Sequence, residues 1–353
     1  MKTQAVIDAD AHNYINSIAD LLPYMSERWQ TYIRSSGMQM PPVSHLPKLY
    51  ELAARRDAWP PGGGKPGSDP DFMREQLLDA WNIDAAVLNP LVGVSGIRNL
   101  DLANAAMRAV NEWVEAVWLS ADERWHASIT VNAYDAEASA AEVRRAAQNR
   151  RFNQVLLLVR SHAPYGRREF RPIFEAAADM DIPVGIHFGG GTGNPITAAG
   201  WPSYYIEDHT GMTQAFEAQL ISLVCEGVFQ SIPSTRVCLI EGGFAWLPAL
   251  MWRLDKNYRG LRSEVPWLTE FPSEIIRRHF AATTQPMEEP EDPAYLLDIF
   301  KMLDCDQFLL FATDYPHWDF DAPDKAIPSV VPDDLRQKIM RGNALKFYEF
   351  QNL

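Results

Sequence analysis

Short apolar runs separated by longer amphipathic stretches recur through most of this chain, and the alternation restricts it to very few architectures. Eight runs are candidate strands, at residues 5–10, 85–91, 126–131, 154–159, 183–188, 236–241, 279–284 and 307–314. Between them, segments 101–119, 136–149, 170–180, 210–230 and 245–254 carry helical periodicity. The runs are β-prone and apolar nearly throughout, as in strands covered on both faces of a parallel sheet. Parallel strands joined by crossover helices form either an open doubly wound sheet or a closed (β/α)8 barrel of the TIM type. Eight units favour the barrel. At 353 residues, 47% of them hydrophobic, the chain suits one such α/β domain with insertions.

Two stretches interrupt the alternation. The first separates the first two strands, is too long for one crossover helix, and contains PPVSHLP and WPPGGGKPGSDP; an inserted loop is expected over about residues 24–70. The second, FGGGTGNPITAAGWPSYYIEDH, follows the fifth strand directly. Loops at the C-terminal ends of barrel strands build substrate pockets, so the pocket is expected there.

Polar residues close several of the apolar runs. Asp10 and His12 end VIDADAH, His187 ends IPVGIH, and Asp314 ends FLLFATD. Residues two apart on a strand share a face, which lets Asp10 and His12 reach one ion at the barrel mouth. An Asp/His/His/Asp set with an open position suits one divalent metal, with zinc the first expectation and manganese the alternative.

Charge and composition exclude other classes. Lys and Arg total 32 against 46 acidic residues, a net charge of −14, and no basic run exceeds a pair such as Arg150-Arg151. Phosphate backbones need a basic face, so nucleic acid is not an expected partner. Cys225, Cys238 and Cys305 form no CxxC pair, which points to a reducing cytoplasm. No signal-type apolar segment opens MKTQAVIDADAH and no run is long enough for a membrane span. The GGG triplets at Gly62 and Gly189 fit no phosphate-binding loop, so no nucleotide cofactor is expected.

As a set, VIDADAH, PVGIHFGGG, RVCLIEGGFAWLPALMWRLD, FATDYPH and the closing RGNALKFY resemble the amidohydrolase superfamily. The resemblance is to the branch related to aminocarboxymuconate-semialdehyde decarboxylase, often called amidohydrolase 2, and it covers nearly the whole chain. It implies a metal-dependent barrel with Asp10, His12, His187 and Asp314 as ligands, Asp314 handling the proton as well. Two departures stand out. A carboxylate, Asp10, occupies the first ligand position instead of the more familiar His, and LIEGG places Glu241 where the decarboxylase that names the branch has a His.

Other polar groups have two readings each. Glu241 either contacts substrate or orients water, or pairs with Arg253 or a helix N-terminus. His209, in EDHTGM, either reaches the site as an acid/base or caps a helix beginning near Thr210. Arg160, closing QVLLLVR, is a clamp for a substrate carboxylate or one half of a salt bridge. His317 contacts substrate or fixes its loop. His45 lies in the inserted loop, and His126, His162 and His279 read as structural. Trp201 and other aromatics near strand ends suit a flat or cyclic substrate, while Trp246, Leu250 and Leu254 read as core. The apolar helix surface around residues 247–252 offers a face for a homodimer.

Three activities fit: hydrolysis of a C–N or C–O bond through metal-bound hydroxide with Asp314 as base; non-oxidative decarboxylation of an aromatic or muconate-like acid; or binding without turnover. Three carboxylates around one ion lower its Lewis acidity, which favours hydrolysis of a neutral bond in a small, cyclic or aromatic molecule. The resemblance pulls toward decarboxylation.

Overall fold

The computed structural model describes residues 5–43, 46, 51–190, 199–304, 306–350 and 353, so His45 lies outside the described residues. The strands are β1 (Val6–Ala11), β2 (Ile83–Leu88), β3 (Trp125–Thr130), β4 (Phe152–Arg160), β5 (Val184–Gly190), β6 (Val237–Ile240), β7 (Phe280–Thr283) and β8 (Leu309–Leu310). Each pairs in parallel with the next in sequence order. The ring closes through the segment after β8: Ala9 N donates to Phe311 O (2.9 Å), Asp314 N to Asp10 O (3.0 Å) and His12 N to Tyr315 O (2.7 Å). The chain is therefore the (β/α)8 barrel expected from its eight runs.

Side-chain size sorts the two faces. Small or branched residues, including Ile7, Ala9, Ala85, Val87, Ile240 and Ala281, fill the barrel interior, joined by Ala344 and Tyr348 of the C-terminal helix Asn343–Tyr348. Bulky groups such as Trp118, Trp125, Phe152, Phe174 and Phe216 pack in the shell between strands and helices. Each fully buried side chain of this kind contributes roughly 1.5–3 kcal/mol relative to exposure. Helices begin where a polar cap meets the apolar periodicity. Asn99 accepts from Leu102 N ahead of the helix Leu100–Trp113, and Asp135 accepts from Ala138 N ahead of Ala136–Ala146.

Some boundaries differ from expectation. The eighth strand was expected over 307–314, but only Leu309–Leu310 pair with β7; the following residues turn to bond β1 instead. The helix expected over 210–230 is split at Gly227, in the left-handed region at φ 69°, into Thr213–Cys225 and Val228–Ser231. His209 lies within the separate helix Tyr205–Gly211 rather than ahead of a cap at Thr210. The helix expected over 245–254 spans Leu247–Leu261 and buries Leu247, Met251 and Leu254, leaving Trp246 and Leu250 half-buried.

The insertion after β1 folds onto the barrel mouth. Its helix Glu27–Ser36 buries Trp29 and Ile33 and stops at Gly37, again at positive φ. Further on, Arg55 N donates to Pro316 O (2.9 Å) and Trp318 N to Ala53 O (2.7 Å), stitching the insertion to the loop after β8. No helix among the described residues is long and apolar enough to cross a membrane.

Candidate metal centre

In β1, Ile7 and Ala9 point into the barrel, yet Asp10 and His12 both reach the mouth. A change of phase is required, and the β1–β2 register slips between Asp8 and Ala11, as an extra residue in a strand produces. Asp8 pins this irregularity: its carboxylate accepts from Thr313 Oγ1 (2.6 Å), Thr313 N (3.0 Å) and Asp10 N (3.1 Å). Burial nevertheless pushes the Asp8 carboxyl up to about 7, the hydrogen bonds offsetting only part of the cost.

Glu241 and Asp314, immediately after β6 and close after β8, sit in the left-handed region at φ 60° and 58°. Non-glycine residues rarely adopt it, and here it accompanies carboxylates placed in the cluster. One donor atom from each of Asp10, His12, His187, Glu241 and Asp314 lies within 4.8 Å of all the others, and all five residues are buried.

The fit to a cation is visible in the imidazoles. His12 uses Nδ1 toward Asn89 O (2.8 Å) and His187 uses Nδ1 toward Phe188 O (2.7 Å), which fixes Nδ1 as the donor in each. Their Nε2 atoms then face carboxylates: His12 Nε2 is 2.8 Å from Asp314 Oδ1, and His187 Nε2 is 3.2 Å from Asp10 Oδ2 and 3.6 Å from Glu241 Oε2. A neutral imidazole would aim its lone pair at negative oxygen there, so the arrangement calls for positive charge between them. Burial lowers the His12 pKa, but the Asp10 charge and the Asp314 contact outweigh it and raise it to about 9. Three buried carboxylates and two imidazoles form a set that fits one divalent ion.

Around this cluster lie groups of a second kind. Asp314 Oδ1 also accepts from His317 Nδ1 (2.8 Å), whose Nε2 meets Tyr14 Oη (2.8 Å). Burial raises the Asp314 pKa, but His317 and His12 together hold it well below the ordinary carboxylate range. Gln285 Nε2 donates to Asp314 Oδ2 (3.4 Å) and to Asp319 O (3.3 Å). His209 Nε2 stands 3.7 Å from Glu241 Oε1 and 3.5 Å from Asp319 Oδ2. The Asp319 carboxyl is pushed up to about 7 by burial and by the Asp314 charge.

A small, largely enclosed cavity of about 20 Å³ adjoins the cluster, lined by the aromatic side chains of Phe188, Tyr205 and Trp318 and by His209, Glu241, His317 and Asp319, together with Val43, Ala53 and Leu91. Arg160 is not among these lining residues. Its guanidinium is buried against Asp208 (Nη2 to Oδ2, 2.7 Å), so it ties the helix Tyr205–Gly211, which carries Tyr205 and His209, to the end of β4. Trp201 stands 53% exposed and outside the same lining. The geometry thus gathers Asp10, His12, His187, Glu241, His209, Asp314 and His317, and separates Arg160 and Trp201 from them.

Four residues of the site had no place in the sequence reading: Asn89, Tyr14, Gln285 and Asp319. Asn89 carried a signal, since it closes the second apolar run as His187 closes the fifth. Extending that strand to Leu91 hid it, whereas β2 ends at Leu88.

A closed parallel barrel with buried imidazoles and carboxylates gathered at the ends of its strands defines the class of metal-dependent barrel enzymes. Within that class the chain belongs to the amidohydrolase 2 family, whose model, described as Amidohydrolase, matches residues 7–350. No curated protein matches it significantly in sequence. Among solved structures it resembles an amidohydrolase from Mycobacterium avium subsp. paratuberculosis, at 20% identity and TM-score 0.74 over 99% of this chain and 100% of that one. It also resembles 5-carboxyvanillate decarboxylase from Novosphingobium aromaticivorans, complexed with manganese and 4-hydroxy-3-methoxy-5-nitrobenzoic acid (20%, TM-score 0.71, 98% and 96%). A third is dihydroxybenzoic acid decarboxylase from Polaromonas sp. JS666 with bound manganese and 2-nitroresorcinol (18%, TM-score 0.67, 98% and 97%).

Proposed function

We propose that the protein is a metal-dependent, non-oxidative decarboxylase of an aromatic carboxylic acid. The observation that carries the reading is the aromatic-walled pocket of Phe188, Tyr205 and Trp318 lying directly over the buried imidazole and carboxylate cluster. The solved decarboxylases that share the fold along their full length support it. They also shift the expected metal from zinc to manganese, and the expected reaction from hydrolysis to carbon–carbon cleavage.

Asp10, His12, His187 and Asp314, with Glu241 beside them, would hold the ion, which when bound supplies a Lewis-acid anchor for substrate oxygen. The chain's own residues do the rest. Phe188, Tyr205 and Trp318, shifting apart to enlarge the cavity between them, flank the ring and exclude water from it. Asp314 and His317 share a proton across their 2.8 Å contact, and the pair passes it to the ring carbon that bears the carboxylate. The carbon–carbon bond then breaks with its electron pair returning to the ring, and carbon dioxide leaves. His209, steadied by Glu241 and Asp319, faces the departing carboxylate. No Lys or Arg stands among the described lining residues, so an anionic substrate relies on the cation and these imidazoles for its counter-charge.

The test is turnover by manganese-loaded protein on hydroxybenzoates, including 2,6-dihydroxybenzoate and 5-carboxyvanillate, following carbon dioxide and the ring product together. Metal-dependent release of carbon dioxide in equal amount to the decarboxylated ring is the expected result. Metal-dependent cleavage of amides or esters without carbon dioxide would overturn it in favour of hydrolysis.

A further inference from the structure

Asn89 follows β2 directly, is fully buried, and touches two of the residues assigned to the metal. Its side-chain Nδ2 donates to Asp10 Oδ1 (2.8 Å), while its backbone carbonyl accepts from His12 Nδ1 (2.8 Å). Its own N–H donates to Ala11 O (2.8 Å), which locks the backbone in place. One residue thus fixes the rotamer of a carboxylate and the tautomer of an imidazole.

The amide orientation is itself decided by the barrel interior. Asn89 Oδ1 accepts from Ser128 Oγ (2.6 Å) and from Gln154 Nε2 (3.3 Å), and Gln154 Nε2 also donates to Ser128 Oγ (2.8 Å). Gln154 Oε1 in turn takes the Tyr348 hydroxyl (3.1 Å). Donors run in one direction from the C-terminal helix to Asp10, so the amide can only present its NH2 end to the carboxylate. Hydrogen bonds aligned this way polarise one another and hold the amide and the carboxylate in one mutual orientation. With Oδ1 engaged, Asp10 Oδ2, the oxygen nearer His187, is left for a cation.

We propose that Asn89 is a positioning residue of the metal centre, oriented by Ser128 and Gln154, and that it sets affinity for the ion without touching substrate. The proposal rests on the assignment of Asp10 and His12 as ligands made above. It is tested by titrating metal-free protein with Mn2+ against a fluorescent chelator. N89A should raise the Kd about 10–100-fold, and the Mn2+ needed for half-maximal turnover should rise with it while substrate KM holds. S128A, which removes the nearer of the two donors that orient the amide, should weaken binding severalfold in the wild-type background and add nothing in N89A, because Ser128 acts through Asn89. A merely structural role would give independent, multiplying effects and would overturn the proposal. So would a Kd within twofold of wild type in either single variant; S128A alone carries that comparison should N89A fail to fold. Wild-type protein that takes up no Mn2+ would instead remove the metal centre itself, a failure distinct from that of Asn89.

Discussion

Asp314→Asn removes one charge at almost constant volume from the group proposed both to border the metal position and to carry the proton. Oδ1 accepts from His317 Nδ1 (2.8 Å) and stands 2.8 Å from His12 Nε2, so the carboxylate holds one imidazole directly and faces the other across the cation position. An amide there can still accept one hydrogen bond from His317 but has no basic oxygen to receive and return a proton. General acid–base groups contribute typically 10²–10⁴-fold, or about 3–5 kcal/mol of barrier. A fall in kcat of that size is expected. KM for substrate should move far less, since Asp314 lies beneath the pocket and is not one of its walls. Weaker metal binding would mimic the loss, so the assay is run at saturating Mn2+ with the metal content of the same sample measured by plasma mass spectrometry. A metal-loaded D314N enzyme within tenfold of wild-type kcat would refute the assignment.

Three further outcomes follow from particular contacts. His187→Ala should leave the purified protein nearly metal-free by elemental analysis, because it removes one of two buried imidazoles from the cluster; normal metal content would strike it from the ligand set. Arg160→Met strands Asp208 as a buried, unpaired charge and should cost roughly 3–5 kcal/mol in chemical denaturation, with D208N in the same chain recovering part of it. Unchanged stability together with a tenfold higher substrate KM would restore the carboxylate clamp expected from sequence. His126, whose Nδ1 has no hydrogen-bond partner, is held down to about 4 by burial and then by Arg151. It folds neutral, so its contribution is fully present above its ordinary pKa near 6.5 and is lost as pH falls from there toward 4. The loss amounts to up to about 3 kcal/mol; urea denaturation of wild type and H126Q across pH 4–7 should show the acid slope flattened in the variant.

Much of this protein is written locally. Runs of β-branched and small apolar residues, alternating with amphipathic segments, set the strands and their covering helices. Eight of them in parallel left a closed barrel as the natural way to bury every strand. Asp10, His12, His187 and Asp314 were legible for the same reason, because a polar side chain at the end of a buried run has only the barrel mouth to occupy.

Tertiary structure alone decided the rest, since the sequence carries no distance between strands. Arg160 reads equally well as a clamp or as a pair until Asp208, on a helix that local pattern misplaced, is seen to take its guanidinium. Glu241 looks out of place beside a family pattern that has a His there, yet a left-handed turn after β6 brings its carboxylate within 3.6 Å of His187. Asp319, Tyr14 and Asn89 serve the site through partners far away in sequence, such as the contact from Tyr14 to His317. The sequence by itself determined which residues end buried strands. Only closure of the barrel decided which of them share one volume, because that volume is formed by side chains from β1, β5, β6 and β8 whose proximity no local pattern encodes.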